Sequence, residues 1–372
     1  MNIVFLTRFD PQNINNWSGT LYYMYNKLKE RHNIKIIGPE ILNQLGFFSK
    51  DNNPKDRFIP VDKYIRNLNG LLSERINKLN FDLIFFGDLL FVPFLDVDVP
   101  VVYLSDMIYD QLRKHYIKTD ERQDEFMFRL EKRVLEISSK IIYSSEWIKR
   151  KSIEFYNVDP NKIDIVEFGA NIPTPVNYTI NINLDKCRLV FVGKDWERKG
   201  GDKIIQSYRK LKKEGFPCSL TIIGSSPPKT LNESIDDFVV IPFIDKNNPK
   251  HSEKLNKILA ESHFLVLPTR FDAFGIVFCE ASAYALPSIS ADVGGVGQAI
   301  NEGKNGFLLP EYATADDYAE KIKSIFIDKE SYLKLRASSR DEYESRLNWD
   351  VWNEKVNAIL QEAISDFKKN GK

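Results

Sequence analysis

Short, wholly apolar runs alternate along this chain with stretches whose apolar residues recur at helical spacing. Such runs suit strands buried on both faces, and strands joined through helices build parallel sheets. In the first half, strands are predicted near 2–6, 34–37, 82–86, 100–104, 140–143 and 163–166. Helices are predicted near 19–31, 70–79, 120–137 and 146–156; Leu21, Met24, Tyr25 and Leu28 mark the inner face of the first. Residues 172–184 break the rhythm with Pro173, Pro175 and several Asn, and read as a linker. A second series follows, with strands at 187–192, 219–223, 238–241, 264–267, 287–290 and 306–309. Its helices are placed at 200–214 and 315–327, with one more starting at Phe274-Gly275. The chain ends in a long helical stretch striped by Trp349, Trp352, Val356, Ile359 and Leu360. The 372 residues therefore divide into a first α/β domain at 1–172, a linker at 173–184, a second α/β domain at 185–347 and a last helix at 348–372.

Lys and Arg number 52, as do Asp and Glu, so nothing in the charge balance points to nucleic acid. The three cysteines, Cys187, Cys218 and Cys279, are widely spaced and suit reduced thiols of a cytosolic protein rather than a disulfide framework or zinc site. The four histidines lack metal-ligand spacing. The opening apolar run, Ile3 to Leu6, is too short for a signal peptide, and no apolar stretch approaches the ~20 residues of a membrane span. The glycosylation sequons at Asn177 and Asn232 are expected to be accidental.

The most informative motif runs from Leu267 to Pro287. A strand ends in Pro268-Thr269, a polar loop follows, and a helix begins at Phe274-Gly275-Ile276. Unpaired N–H groups at a helix start attract phosphate. Asp272 precedes that start and Glu280 lies inside the helix, so the two carboxylates can hold opposite ends of a hydroxyl-bearing ligand. A second motif, Gly193-Lys194 with Arg198-Lys199-Gly200-Gly201, puts three cations after the first strand of the second domain, a candidate diphosphate clamp. Asp292-Val-Gly294-Gly295 also follows a strand and is either a binding turn or a plain strand-to-helix turn. In the first domain, Ser18-Gly19 opens the first helix, as a binding loop or a simple cap. Asp106 ends a strand after Ser105. Asp96-Val97-Asp98 has the form of a metal-binding Asp-x-Asp but lacks companion features.

The acidic residue, seven residues, then Glu of Asp272 to Glu280, with Phe-Gly after the first acid and a small-residue run ending in Pro287, resembles retaining glycosyltransferases of family 4, the glycosyl transferases group 1. The resemblance spans nearly the whole chain. It implies a GT-B fold of two Rossmann-like doubly wound domains facing across a cleft, in which the last helix crosses back onto the first domain; packing on the second domain fits the stripe nearly as well. It further implies a nucleoside-diphosphate sugar as donor, a glycan or lipid-linked acceptor, and retention of anomeric configuration, in cell-surface polysaccharide or glycolipid synthesis. On that resemblance Lys194 and Lys199 neutralise the leaving diphosphate with Arg198 beside them. Phe274, Gly275 and Ile276 add backbone donors, Glu280 holds the ribose and Asp272 the sugar hydroxyls. The Gly19 loop approaches the donor phosphate and the acceptor, and Asp106 is a candidate for the cleft between the domains. No cofactor or metal is expected, since cations already face the leaving group.

Departures from the family are Asp272 for Glu, Gln298 for Glu, and Ser105 where many relatives have His. They leave two alternatives open: a non-catalytic sugar-nucleotide-binding subunit, and a GT-B sugar-nucleotide epimerase. Residues 113–151 carry eleven Lys or Arg against seven Asp or Glu, a surplus of four, which suggests at most weak peripheral membrane contact by a cytoplasmic enzyme.

Overall fold

The computed structural model describes residues 1–44, 62–175, 178–228 and 237–369; the sequons at Asn177 and Asn232 lie outside them. The chain forms two compact units, Met1–Val166 with Asn353–Lys372, and Glu167–Trp352.

The first unit contains β1 (Asn2–Leu6), α1 (Thr20–Lys29), β2 (Asn33–Ile37), α2 (Pro39–Gln44), α3 (Asp62–Ile76), β3 (Leu83–Phe86), β4 (Val101–Ser105), α4 (Tyr109–His115), α5 (Glu121–Ile137), β5 (Lys140–Tyr143), α6 (Glu146–Tyr156) and β6 (Ile163–Ile165). Its strands are all parallel, in the order β2-β1-β3-β4-β5-β6. Leu83 to Phe86 are wholly buried, as a strand covered on both faces requires. Val4, Leu6, Ile84, Phe86, Tyr103 and Ile141 join one core with Leu68, Leu72 and Ile76 of α3. Asp120 starts α5 with a reciprocal cap: its carboxylate accepts from Gln123 N–H, and the Gln123 side chain accepts from Asp120 N–H.

The second unit contains β7 (Cys187–Val192), α7 (Gly201–Lys213), β8 (Cys218–Ile223), β9 (Phe238–Ile241), α8 (Pro249–Glu261), β10 (Phe264–Leu267), α9 (Ile276–Ala283), β11 (Ser288–Ala291), α10 (Val296–Ala299), β12 (Gly306–Leu309), α11 (Ala315–Ile327) and α12 (Lys329–Ser345). Its parallel order is β12-β11-β10-β7-β8-β9. The chain winds outward from β7 through β8 to β9, then returns to β10 and winds the other way. The chain's winding therefore reverses between the neighbours β7 and β10, and the space above their carboxyl ends is where a doubly wound sheet takes a ligand.

Helix α3 spans Asp62–Ile76 instead of the predicted 70–79, because the chain turns after Ile76, where Leu79 N–H donates to the Ile76 carbonyl. Helices α4, α8 and α12 were not anticipated from periodicity. The buried face of α12 contains Arg336 and Arg340 beside Tyr332, Leu335 and Tyr343, so it is polar where an apolar stripe would mark it. The Arg336 guanidinium donates to the carbonyls of Thr179, Ile180 and Ser262. With the Asn183 carbonyl lying 2.8 Å from His263 Nε2, these bonds bind the proline- and asparagine-rich segment to the second unit. A final helix, α13 (Trp349–Lys369), begins in the second unit and belongs to the first from Asn353 onward. Its stripe of Trp349, Trp352, Val356, Ile359 and Leu360 is buried, and Glu362 pairs with Lys140 at 2.8 Å. No described helix is long and apolar enough to cross a membrane. All three cysteines are free and buried.

Candidate functional site

The loops that follow β7 and β10 meet. The Arg270 N–H donates to the Arg198 carbonyl at 2.7 Å, and the Thr269 hydroxyl lies 3.1 Å from the same oxygen. The Arg198 guanidinium returns the contact, donating to the Phe271 carbonyl at 3.0 Å and to Asp195 Oδ2 at 3.3 Å. Arg270 binds Asp202 of α7 at 2.7 Å. Two glycines make this approach possible. A Cβ on Gly200, at φ 74°, would meet the Pro268 carbonyl oxygen at 2.0 Å. A Cβ on Gly294, at φ 56°, would meet the Asp272 carbonyl oxygen at 2.2 Å, and Gly295 N–H donates to that oxygen at 3.0 Å. The Gly294-Gly295 turn thus fixes the main chain of Asp272.

Within this frame the Lys199 ammonium and the Asp272 carboxylate form a direct ion pair, with side chains only 13 and 12% exposed. Lys199, expected on the diphosphate, and Asp272, expected on the sugar hydroxyls, are therefore partners of one another. Lys194 is exposed on the same loop. Gly275 caps α9 with no side-chain hydrogen bond, and Gly200 does the same for α7, so neither helix start has a side-chain acceptor at its cap. Phe274 is buried with its ring 5.4 Å from that of Phe168, so its side chain serves packing and its main chain faces the helix start.

Glu280 lies in α9 and is 4% exposed. Its Oε1 accepts from the Lys246 ammonium at 2.5 Å, and Lys246 also donates to the Asn171 carbonyl at 3.2 Å. Sequence reading missed Lys246: it sits in the loop after β9 and is 34 positions from its carboxylate, and no spacing rule links the two. Gln298 donates to Glu167 Oε1 at 2.8 Å, and the Arg346 guanidinium donates to the Gln298 carbonyl at 2.7 Å. Cys279, one residue before Glu280, is buried with its thiol pushed up by burial, which suits packing rather than nucleophilic attack.

Gly19 and Asp106 belong to the first unit, in the loops after β1 and β4. Gly19, at φ 100°, is itself the cap of α1, so Ser18 does not cap this helix. Trp17 and Ser18 precede it at φ 48° and 55°, a left-handed run that non-glycine residues rarely adopt. Ser105 is occupied locally, donating to the Met107 carbonyl at 2.7 Å, and Asp106 is half-buried beside it. In the same unit Arg8, after β1, pairs with Asp88, after β3, at the point where that sheet's winding reverses. Asp96 and Asp98 are exposed. No group of three or more His, Cys, Asp or Glu able to hold a metal occurs among the described residues.

The two parallel sheets, with these loops clustered at the β7/β10 reversal, define a doubly wound α/β protein, and comparison with known proteins agrees. Residues 179–342 match the family described as glycosyl transferases group 1. A D-inositol 3-phosphate glycosyltransferase of Rhodococcus opacus (strain B4) is 23% identical over 235 residues, 59% of this chain; the match spans about half of that relative's length, 52%. Among solved structures, sucrose-phosphate synthase from Thermosynechococcus elongatus superposes with a TM-score of 0.69 at 16% identity, over 98% of this chain and 99% of that one. Anabaena HepE in complex with UDP-glucose superposes with a TM-score of 0.65 at 14% identity, over 97% of this chain and 100% of that one. The fold is GT-B.

Proposed function

We propose that this protein is a retaining glycosyltransferase that moves a sugar from a nucleoside-diphosphate sugar to a hydroxyl acceptor, in the synthesis of a cell-surface polysaccharide or glycolipid. The observation that carries the reading is the meeting of Lys199, Asp272 and the α9 start above β7 and β10. A diphosphate there would meet the ammonium groups of Lys199 and Lys194 and the first-turn N–H groups of α9. Departure of the diphosphate concentrates negative charge on its oxygens, and fixed cations already in place lower that barrier. Glu280 would accept hydrogen bonds from the ribose hydroxyls and Asp272 from those of the sugar. The acceptor would bind the first unit, near Gly19 and Asp106. The family resemblance suggests a front-face reaction, in which the leaving phosphate would take the acceptor's proton and the protein would contribute positioning and charge stabilisation.

The reading is supported by the HepE complex with UDP-glucose, which has this fold. It is tested by incubating the purified chain with radiolabelled UDP-, GDP- and ADP-sugars and a bacterial lipid and glycan extract. Release of the nucleoside diphosphate together with labelled acceptor is expected, and NMR of the product should show the donor's anomeric configuration kept. Absence of both hydrolysis and transfer across the panel would refute it; an inverted product would refute retention alone.

A further inference from the structure

Glu280 is buried, and its carboxylate faces a lysine contributed by another loop. A carboxylate at 4% exposure holds its charge at a large cost unless a cation accompanies it. Lys246 is that cation, at 2.5 Å from Oε1. Lys246 is itself held, since its second bond goes to the Asn171 carbonyl, and the Asn171 side chain in turn accepts from Trp349 Nε1–H at 3.1 Å. A contiguous run from Trp349 through Asn171 and Lys246 to Glu280 therefore fixes the orientation of one carboxylate. Only Oε1 is engaged by Lys246, and a carboxylate has lone pairs to accept further hydrogen bonds.

We propose that Lys246 is the positioning residue of Glu280, turning its remaining oxygen toward a vicinal diol and so making this site select ribonucleotides over 2′-deoxyribonucleotides. The proposal rests on the reading of Glu280 as the ribose carboxylate. Lys246 acts through Glu280 and needs no contact with the ligand. Its loss would leave a carboxylate that swings away, and the diol would lose its acceptor while the diphosphate contacts stayed in place.

The test is calorimetric titration of the full chain with UDP and with 2′-deoxy-UDP, repeated with the GDP and ADP pairs. The wild type should bind the ribo form about tenfold more tightly than the deoxy form, the worth of a hydrogen bond to a charged group. Lys246→Met should bring that ratio close to one by weakening the ribo form alone, and Lys246→Arg should restore most of it. Because Lys246→Met leaves a buried carboxylate unpaired, Lys246→Met/Glu280→Gln serves as the folded control, and its ratio should also be close to one. A Lys246→Met variant that keeps the wild-type ratio, or that weakens both forms equally, overturns the proposal for Lys246 and leaves the reading of the site standing. A wild type that binds ribonucleoside diphosphates without discrimination overturns the ribose assignment of Glu280. A wild type that binds none of the six ligands overturns the reading of the site itself.

Discussion

Replacing Asp272 by Asn should make the protein bind a bare nucleoside diphosphate more tightly. In the unliganded molecule Asp272 is the partner of Lys199, and both side chains are largely withdrawn from solvent. Opposite charges in contact near a protein surface attract with about 4 kcal/mol at an effective dielectric near 20, most of it offset by desolvation, which leaves a net of roughly 1–2 kcal/mol. A diphosphate must draw Lys199 from Asp272 or share it, and it must also approach the Asp272 negative charge. Asparagine keeps the shape and removes both obstacles, so affinity for the diphosphate should rise about 5- to 30-fold. The sugar behaves oppositely. Its hydroxyls lose a charged acceptor, at about 1.5–3 kcal/mol for a hydrogen bond to an ionised group. The gain in affinity that the sugar adds to the diphosphate should therefore shrink, and turnover should fall by about 10²-fold. Calorimetry of the wild type and Asp272→Asn with UDP and UDP-glucose, or with whichever base the wild type accepts, measures both quantities. A folded Asp272→Asn variant whose nucleoside diphosphate affinity is unchanged or weakened would refute the idea that Lys199 serves the two groups in turn.

Lys199→Ala removes the leaving-group cation and also strands a buried Asp272 beside the phosphates, so it should cost about 10²–10³-fold in kcat/KM; Lys194→Ala, at an exposed position, should cost no more than about tenfold, and equal losses would count against this ranking. Glu131, fully buried in α5, accepts from Tyr109 N–H at 2.8 Å and from the Tyr156 hydroxyl, and burial pushes its carboxyl up to about 7. Because the folded value lies above the unfolded one, its contribution to stability is present below about pH 4 and is lost as pH rises through 7. Relative to the wild type, Glu131→Gln should gain roughly 3 kcal/mol between pH 4 and 8 in denaturant titrations, and a pH-independent difference would exclude the effect. Transfer should survive a chelator, and activity abolished by EDTA and restored by manganese would bring Asp96 and Asp98 back into consideration. Any sedimentation with anionic vesicles should vanish at high salt; binding that persists would imply an apolar anchor.

Strand positions and the start of α9 are legible in the sequence because they depend on local signals that do not change with tertiary context. Phe264 to Leu267 reads as a buried strand, and Gly275 followed by apolar residues reads as a helix start, whatever lies beside them. Asp272, Glu280, Lys194 and Lys199 could be singled out because each sits at a fixed offset from such a signal. Helix α12 could not be read in this way. Its buried Arg336 and Arg340 satisfy backbone carbonyls rather than an apolar neighbour, and only the fold reveals which carbonyls need them. The Gly294-Gly295 turn was read as either binding or structural. Its contact with the Asp272 carbonyl is the close approach to another loop that its glycines allow, and it fixes the backbone that carries the site's first acid.

The same distinction explains why ion-pair partners were invisible while ion-pair members were not. A carboxylate advertises itself by its position on a helix, but the cation that compensates it can come from any loop at the carboxyl edge of the sheet. Lys246 comes from the loop after β9 and Lys199 from the loop after β7, and each pairs with an acid of the β10–α9 segment. That arrangement follows from the winding. With β7 and β10 adjacent and β8 and β9 beyond β7, the loops after β7, β9 and β10 all open at one edge of the sheet. Two acids on one loop-and-helix segment are thereby compensated by lysines from two others before any ligand arrives. On the proposed function, a ligand carrying both negative charge and hydroxyls would then exchange with the lysine at Asp272 and share the acid that Lys246 holds at Glu280. On this view the departure from Glu to Asp at position 272 is tolerable, because the shorter side chain still reaches Lys199 and the Gly294-Gly295 turn holds its backbone in place.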